Sequence, residues 1–317
     1  MQVGFIGLGT MGTRMAGNLQ KAGFRLVVND LRRDVAAPHV AAGAIWADTP
    51  KAVAAQSDVI LTSLPEPPDV ETVALADNGI LAGIGRGAAW FDLSTNAPSL
   101  VKRLHAAFAD KGAHMLDAPV SGGPQGAASG KLAIWVGGEK SAFEQHKSVL
   151  DAIGDQARYI GPTGSATVAK LVHNMSGYAI VCALAETFAM GVKAGVEPLA
   201  LWEAVRQGAQ GRRYTFDGLI NQWLPGKYDP PDFALKLAHK DVGLATALGR
   251  ELGLPMRICE LAYAEMTEAM NRGWAGRDSR VVMKLEQERA GIDVKVDAER
   301  LKEALALPFP ATQAAKK

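Results

Sequence analysis

The sequence predicts an α/β fold in which a domain built on a mostly parallel sheet is followed by an all-α domain. Three observations predict it. Over the first ~160 residues, short β-like runs alternate with helical patterns, the signature of βαβ units. The first of these runs ends in a glycine turn, GLGTMG, that opens an amphipathic helix, MGTRMAGNL. From Ser165 onward, long helical periods succeed one another with almost no strand-like run.

In chain order, the β-like runs are QVGFIG (2–7), RLVVND (25–30), DVILTSL (58–64), AAWFDLS (88–94), HMLDAPV (114–120) and LAIWVGG (132–138). Helical segments are expected between them near 11–22, 50–56, 97–111 and 141–153. Thr49–Pro50 is a good helix start, a capping hydroxyl followed by proline in the first turn. The second half should hold helices at 165–194, 198–208, 213–223, 233–252, 256–272 and 278–290. Pro225, Pro230, Pro231, Gly253 and Pro255 punctuate its junctions. The boundary therefore falls at 161–165, giving domains 1–162 and 163–292 and a C-terminal tail, 293–317. The end of that tail, PFPATQAAKK, lacks apolar periodicity and is expected to be mobile.

With 317 residues the chain can hold two ordinary domains, and its 48% apolar and 21% charged residues describe a soluble globular protein. A net charge of +1 supplies no broad field for nucleic acid or an anionic membrane, so neither is an expected partner. Cys182 and Cys259 are far apart and form no CxxC, which reads as a disulfide-free chain of a reducing compartment. The N-terminus enters a strand-like run directly, without a basic segment or cleavage site, so a cytoplasmic location is expected. The stretch 161–186 is apolar or small at nearly every position, but Lys170, His173, Asn174 and Glu186 interrupt it. It is expected to be a buried core helix and not a membrane span. No metal is called for.

Four motifs point to chemistry. Gly7, Gly9 and Gly12 follow a strand and open a helix, the arrangement that holds a dinucleotide pyrophosphate at a helix N-terminus. Asp30 closes the second strand, where an acidic residue accepts hydrogen bonds from the adenosine ribose and repels a 2′-phosphate. That favours NAD. Arg32 and Arg33 follow at once, and either serve a 2′-phosphate, leaving NADP open, or belong to a solvated loop. Ser121, Gly122 and Gly123 are either a flexible turn or a concavity of backbone N–H groups that takes a carboxylate, with the serine hydroxyl as a further donor.

Lys170 and Asn174 share one helix face, four residues apart. A poorly hydrated lysine exchanges protons near neutrality, and the asparagine amide can hold a substrate hydroxyl or carbonyl beside it. The alternative is a lysine whose stem lies on apolar surface while its ammonium reaches solvent or a carboxylate.

Taken together, GLGTMGTRMAGNL, DAPVSGGPQGAASGKL, GSATVAKLVHN and FALKLAHKDVGLA resemble, in sequence order and over about residues 1–290, the β-hydroxyacid dehydrogenase family. This is the group of 3-hydroxyisobutyrate dehydrogenase and tartronate semialdehyde reductase. The resemblance implies an N-terminal Rossmann domain, an all-α second domain, and catalysis in the cleft between them. It implies hydride transfer between a nicotinamide cofactor and a small β-hydroxy acid or semialdehyde, in a homodimer or homotetramer. Lys170 matches the catalytic lysine, Asn174 the asparagine that holds substrate, and Ser121, Gly122 and Gly123 the substrate-carboxylate loop. Cofactor contacts carry over to Gly7, Gly9, Met11, Gly12, Asp30, Leu64 and Pro65, to Thr95 near the nicotinamide, and to Lys240, which closes over the cofactor. Asp241 reads as structural.

The chain departs from the pattern at Ala166, usually glycine, and at His173–Asn174, commonly Asn–Asn; His173 reads as a core-facing histidine, with a pocket role as the alternative. Arg212 and Arg213, in GAQGRRYTF, are either planar donors for a second anionic group on the substrate or a solvated pair at a helix start. Two other readings compete, a non-catalytic dinucleotide-binding module and an imine-reducing relative. The presence of Lys170 argues against both. The particular hydroxy acid is not legible, because the selecting residues lie in loops of the helical half.

Overall fold

Strands β1 (Gln2–Ile6), β2 (Arg25–Asn29), β3 (Ile45–Trp46), β4 (Val59–Thr62), β5 (Ala89–Asp92) and β6 (His114–Asp117) form a parallel sheet in the spatial order 3-2-1-4-5-6. This computed structural model describes residues 1–208, 217–253 and 256–306. The chain divides into two units, Met1–His173 and Asn174–Lys317.

The sheet is buried on both faces, which is why its strands read as continuous apolar runs. Side chains alternate across it with period two. Val3, Phe5, Leu26, Val28, Leu61 and Phe91 pack into one core with α1 (Gly12–Lys21), while Ile6, Val27, Ile60 and Trp90 pack into a second on the opposite face. That second core takes Val53 of α3 (Pro50–Ala55). It also takes Val70 of α4 (Pro67–Leu75), and Leu104 and Phe108 of α6 (Pro98–Asp110). Burying each such large side chain contributes roughly 1.5–3 kcal/mol. The start of α3 is as expected: the Ala52 amide donates to Thr49 Oγ1 (3.1 Å), with Pro50 in the first turn.

Beyond β6 the sheet changes direction. β7 (Val120–Ser121) and β6 both run antiparallel to β8 (Leu132–Gly137), in one register broken by Ala118 and Pro119. Strand β9 (Gly154–Gly161) adds parallel to the other side of β8. Helices α7 (Gly123–Ser129) and α8 (Lys140–Asp151) bury Ala127, Phe143 and Leu150 in the first core.

Several elements were not legible as such. β3 is two residues long, and β9 (GDQARYIG) lacks apolar alternation. Helices α2 (Ala37–Ala41), α4, α5 (Ile80–Gly83) and α7 begin or lie among prolines and glycines that read as loop. In α4 and α7, proline occupies the first turn, where its missing N–H costs nothing.

Helix α9 (Ser165–Lys193) runs from the first unit into the second. Its first 21 residues are long and apolar enough to cross a membrane by length and composition alone, with a mean hydropathy of 1.3 over an 18-residue window. The expectation of a buried core helix needs correction: only 17% of the span is buried, and Val168, Val172 and Ile180 are exposed. A helix apolar all round packs one side on its own chain and leaves the other for something else.

In the second unit follow α10 (Pro198–Gln207), α11 (Leu235–Glu251), α12 (Arg257–Asn271), α13 (Met283–Ala290) and α14 (Ala298–Ala306), around Trp202, Trp223, Leu235, Val242, Met266 and Leu285. Asp217–Ile220 and Ser279–Val282 are 3-10 turns where α-helix was expected. The segment assigned to a tail from residue 293 carries helix α14, Ala298–Ala306, and packs through its first part. Val294, Val296 and Leu301 are buried, and α14 supplies the last of them. Arg212, Arg213 and the terminal PFPATQAAKK lie outside the described residues.

Candidate active site

The order of the sheet reverses between β1 and β4, and ligands of open α/β sheets bind beyond the carboxyl ends of strands at such a switch. The glycine turn sits there. A Cβ on Gly7 would lie 2.3 Å from the Ser63 carbonyl oxygen, and one on Gly12 1.8 Å from that of Gly7, so protein packing requires both glycines. At Gly9 a Cβ would meet no protein atom within 4 Å. Packing asks nothing of Gly9, and the open space beside it lets the chain's backbone come close to a ligand such as a pyrophosphate. Met11 caps α1 from an α-region backbone and packs partly on the first core. These residues fit a dinucleotide.

Asp30, just past β2, is half-buried and accepts from the Leu8 amide at Oδ2 (2.7 Å) and the Arg32 amide at Oδ1 (2.9 Å). It therefore ties the glycine turn to the end of β2, and each oxygen keeps a second lone pair for a ribose hydroxyl. Arg32 and Arg33 are exposed, with the Arg33 guanidinium 5.6 Å from the Trp46 ring centroid.

A second carboxylate organises the loops after β4 and β5. Asp92 is 1% exposed; it accepts at Oδ1 from Thr62 Oγ1 (2.9 Å) and the Ser94 amide (3.2 Å), and at Oδ2 from Asn96 Nδ2 (3.0 Å). Burial pushes its carboxyl above the usual range, opposed by these bonds. Ser94 Oγ in turn accepts from the Leu64 amide (2.9 Å). The expected cofactor contacts Leu64, Pro65 and Thr95 thus sit on two loops stitched together, with Pro65 exposed and Thr95 half-buried.

A third carboxylate, Asp117 at the end of β6, accepts from the Gly164 amide (2.8 Å), the Thr167 amide (2.7 Å) and Thr167 Oγ1 (3.0 Å). The first N–H groups of a helix have no partner within it. Asp117 accepts from the Thr167 amide within that first turn and from the Gly164 amide just before it, and so ties the start of α9 to the end of β6, one turn before Lys170. Four residues beyond Asp117, Ser121 is half-buried and followed by Gly122 (φ +129°) and Gly123 (φ +59°). Both glycines adopt a backbone that other residues rarely take, and they turn β7 into α7. Ser121 Oγ lies 3.0 Å from Nε2 of His173, whose ring stands against Trp135 at 5.3 Å between centroids. His173 is exposed and hydrogen-bonded to the expected carboxylate loop, which corrects its reading as a core-facing histidine. Lys170 is half-buried. Partial desolvation of the ring by its neighbours, and then the charge of Lys170, hold the His173 imidazole below its ordinary pKa.

In the second unit, Asn174 Nδ2 donates to Asp241 Oδ2, and Asp241, 2% exposed, pairs through Oδ1 with Lys240 Nζ at 3.0 Å. The two expected site residues of this unit within the description are therefore joined through Asp241. Sequence reasoning passed over Asp92 and Asp117, although each ends an otherwise apolar β-run as Asp30 follows one. An acidic residue closing a buried strand was the available signal.

The chain matches the model of the NAD binding domain of 6-phosphogluconate dehydrogenase over residues 2–161. Residues 164–285 match that of the NAD-binding domain of NADP-dependent 3-hydroxyisobutyrate dehydrogenase. It is 35% identical to 2-(hydroxymethyl)glutarate dehydrogenase of Eubacterium barkeri over 93% of this chain and 97% of the relative. It is 36% identical to the NAD-dependent L-serine dehydrogenase of Pseudomonas aeruginosa over 90% and 97%. The crystal structure of 3-hydroxyisobutyrate dehydrogenase from Salmonella typhimurium superposes with a TM-score of 0.80 at 28% identity, covering 90% of this chain and 99% of that one. The imine-reducing alternative is represented by an imine reductase from Bacillus cereus, similar in fold alone at 18% identity. The chain belongs to the β-hydroxyacid dehydrogenase family, NAD(P)-dependent oxidoreductases of small hydroxy acids.

Proposed function

We propose that the enzyme interconverts a small 3-hydroxy acid and its semialdehyde, with Lys170 as general acid–base. The observation that supports this best is the pairing of Lys170 with Asn174 one turn along α9, the asparagine amide being oriented by buried Asp241. When bound, the nicotinamide takes up or gives the hydride. In oxidation, neutral Lys170 accepts the proton of the substrate hydroxyl as the C–H electron pair leaves and the carbon–oxygen double bond forms. In reduction, the Lys170 ammonium returns that proton. One Nδ2 hydrogen of Asn174 is committed to Asp241, and the other is left to donate to the substrate oxygen, whose own hydrogen goes to Lys170. Ser121, Gly122 and Gly123 receive the carboxylate through hydroxyl and backbone donors. Gly7, Gly9, Met11 and Gly12 hold the pyrophosphate; Asp30 takes the ribose and favours NAD over NADP. Leu64, Pro65, Thr95 and Lys240 contact the cofactor.

A homodimer or homotetramer goes with this reading. Val172 (63% exposed) and Ile180 (47%) on α9, and Ile258 (67%) and Leu261 (50%) on α12, are more large apolar side chains than a monomer usefully leaves in water. Sedimentation of a single species near 33.4 kDa at micromolar concentration would refute it. A cytoplasmic location accords with Cys182 and Cys259, which form no disulfide. The roles of Arg212 and Arg213 toward a second anionic group rest on sequence alone.

The deciding experiment follows NADH and NADPH formation with 3-hydroxyisobutyrate, glycerate, threonate, L-serine and 2-(hydroxymethyl)glutarate. Turnover of at least one is expected, faster with NAD. No turnover of any with either cofactor would overturn the proposal.

A further inference from the structure

We infer that His173 is a positioning residue for substrate binding, acting through Ser121. The inference rests on the reading of Ser121–Gly123 as the carboxylate loop. A serine hydroxyl has one hydrogen, and a carboxylate only accepts. If Ser121 gives its hydrogen to the substrate, its own oxygen must be held by a donor, and Nε2 of His173, 3.0 Å away, is placed to be that donor. Partial desolvation of the ring, and then the charge of Lys170, favour the neutral imidazole over its protonated form. The neutral ring has one N–H to place, and the proton on Nε2 completes a chain from His173 to Ser121 to carboxylate. Trp135 packs against the ring and limits its swing. Both partners sit in the first unit, on β7 and on α9 just after Lys170, so one hydrogen bond links the substrate loop to the helix of the proton-transferring group.

A double-mutant cycle on the full-length enzyme tests this. It uses whichever of 3-hydroxyisobutyrate, L-serine or 2-(hydroxymethyl)glutarate has the highest kcat/KM, with both substrates varied. His173→Ala should raise KM for the hydroxy acid by about three- to tenfold, the worth of one hydrogen bond. Its kcat and its KM for NAD should stay within about twofold of wild type, as expected when only substrate positioning is lost. Ser121→Ala should raise the same KM at least as much, and adding His173→Ala to it should cost nothing more, because the second residue works through the first. His173→Gln, whose amide can donate to Oγ, should recover part of the loss. Additive penalties, or KM values for acid and NAD that rise together, would overturn the inference. An effect of Ser121→Ala with a silent His173→Ala overturns this inference alone, whereas a silent Ser121→Ala overturns the carboxylate-loop reading as well.

Discussion

The two units hold their expected site residues in different ways. In the first, carboxylates at strand ends accept backbone N–H groups from neighbouring loops: Asp30 holds Leu8 and Arg32, Asp92 holds Ser94, and Asp117 holds Gly164 and Thr167. In the second, Asn174 is held side chain to side chain by Asp241, which pairs with Lys240, and the one carboxylate that collects amides, Asp278, takes those of Asp232, Phe233 and Arg280 and no expected site residue. A sheet delivers several chain turns to one edge, where a single carboxylate can collect their unpaired amides. Helices satisfy their own backbones, so the ordering of functional groups falls to side-chain pairs. The first arrangement couples the site to folding; the second can be perturbed with the fold left standing.

That contrast can be broken most severely at Asp117. Asp117→Ala leaves the buried Gly164 and Thr167 amides without an acceptor, each costing about 1–3 kcal/mol. Urea unfolding should show a loss on the order of 3 kcal/mol or more. A loss below about 1 kcal/mol would mean that the α9 start is held otherwise.

Asp241→Asn should act on catalysis instead. Loss of the charge that orients Asn174 and pairs with Lys240 should lower kcat/KM by about ten- to a hundredfold, the range for a charged hydrogen bond, with a smaller change in unfolding midpoint than Asp117→Ala. If stability falls as far as in Asp117→Ala while kcat/KM holds, the two units do not differ in this way. Asp30→Asn sharpens the comparison from the cofactor side. Removing the charge should raise the ratio of NADP to NAD kcat/KM several-fold, on the order of 1 kcal/mol for a half-buried charge screened by solvent. A wild type already faster with NADP would show that Arg32 or Arg33 outweighs Asp30.

The smallest effect concerns pH. His39 of α2 is buried against α1, 2.9 Å from both Thr13 Oγ1 and Gln20 Oε1, and burial holds its imidazole below the ordinary pKa of 6.5. The unfolded chain then binds the proton more readily, so stability is complete above about pH 6.5 and lost as pH falls toward the depressed folded value. The unfolding midpoint should decline between about pH 7 and 5.5, less so in His39→Gln. An unchanged midpoint in the wild type would contradict the assignment.

How much of this was legible follows the same division. The glycine turn, Asp30 and the apolar strands were readable because buried parallel strands and phosphate turns impose composition on short local windows. Strand β9 and helices α4 and α7 escaped, since tertiary pairing and proline-tolerant first turns override local preference. The partners of the carboxylates escaped for another reason. Asp117 meets Gly164 across 47 residues and Asn174 meets Asp241 across 67, and no spacing rule spans such distances. His173 was misread because its partner, Ser121, lies 52 residues away on a strand.

The most direct measurement of the central claim is kcat of Lys170→Ala with the hydroxy acid that the wild type turns over best. A general acid–base contributes about 10²–10⁴-fold, so kcat should fall by that order while KM for NAD changes little. A variant that keeps more than about a tenth of wild-type kcat would show that the proton leaves the substrate by another route.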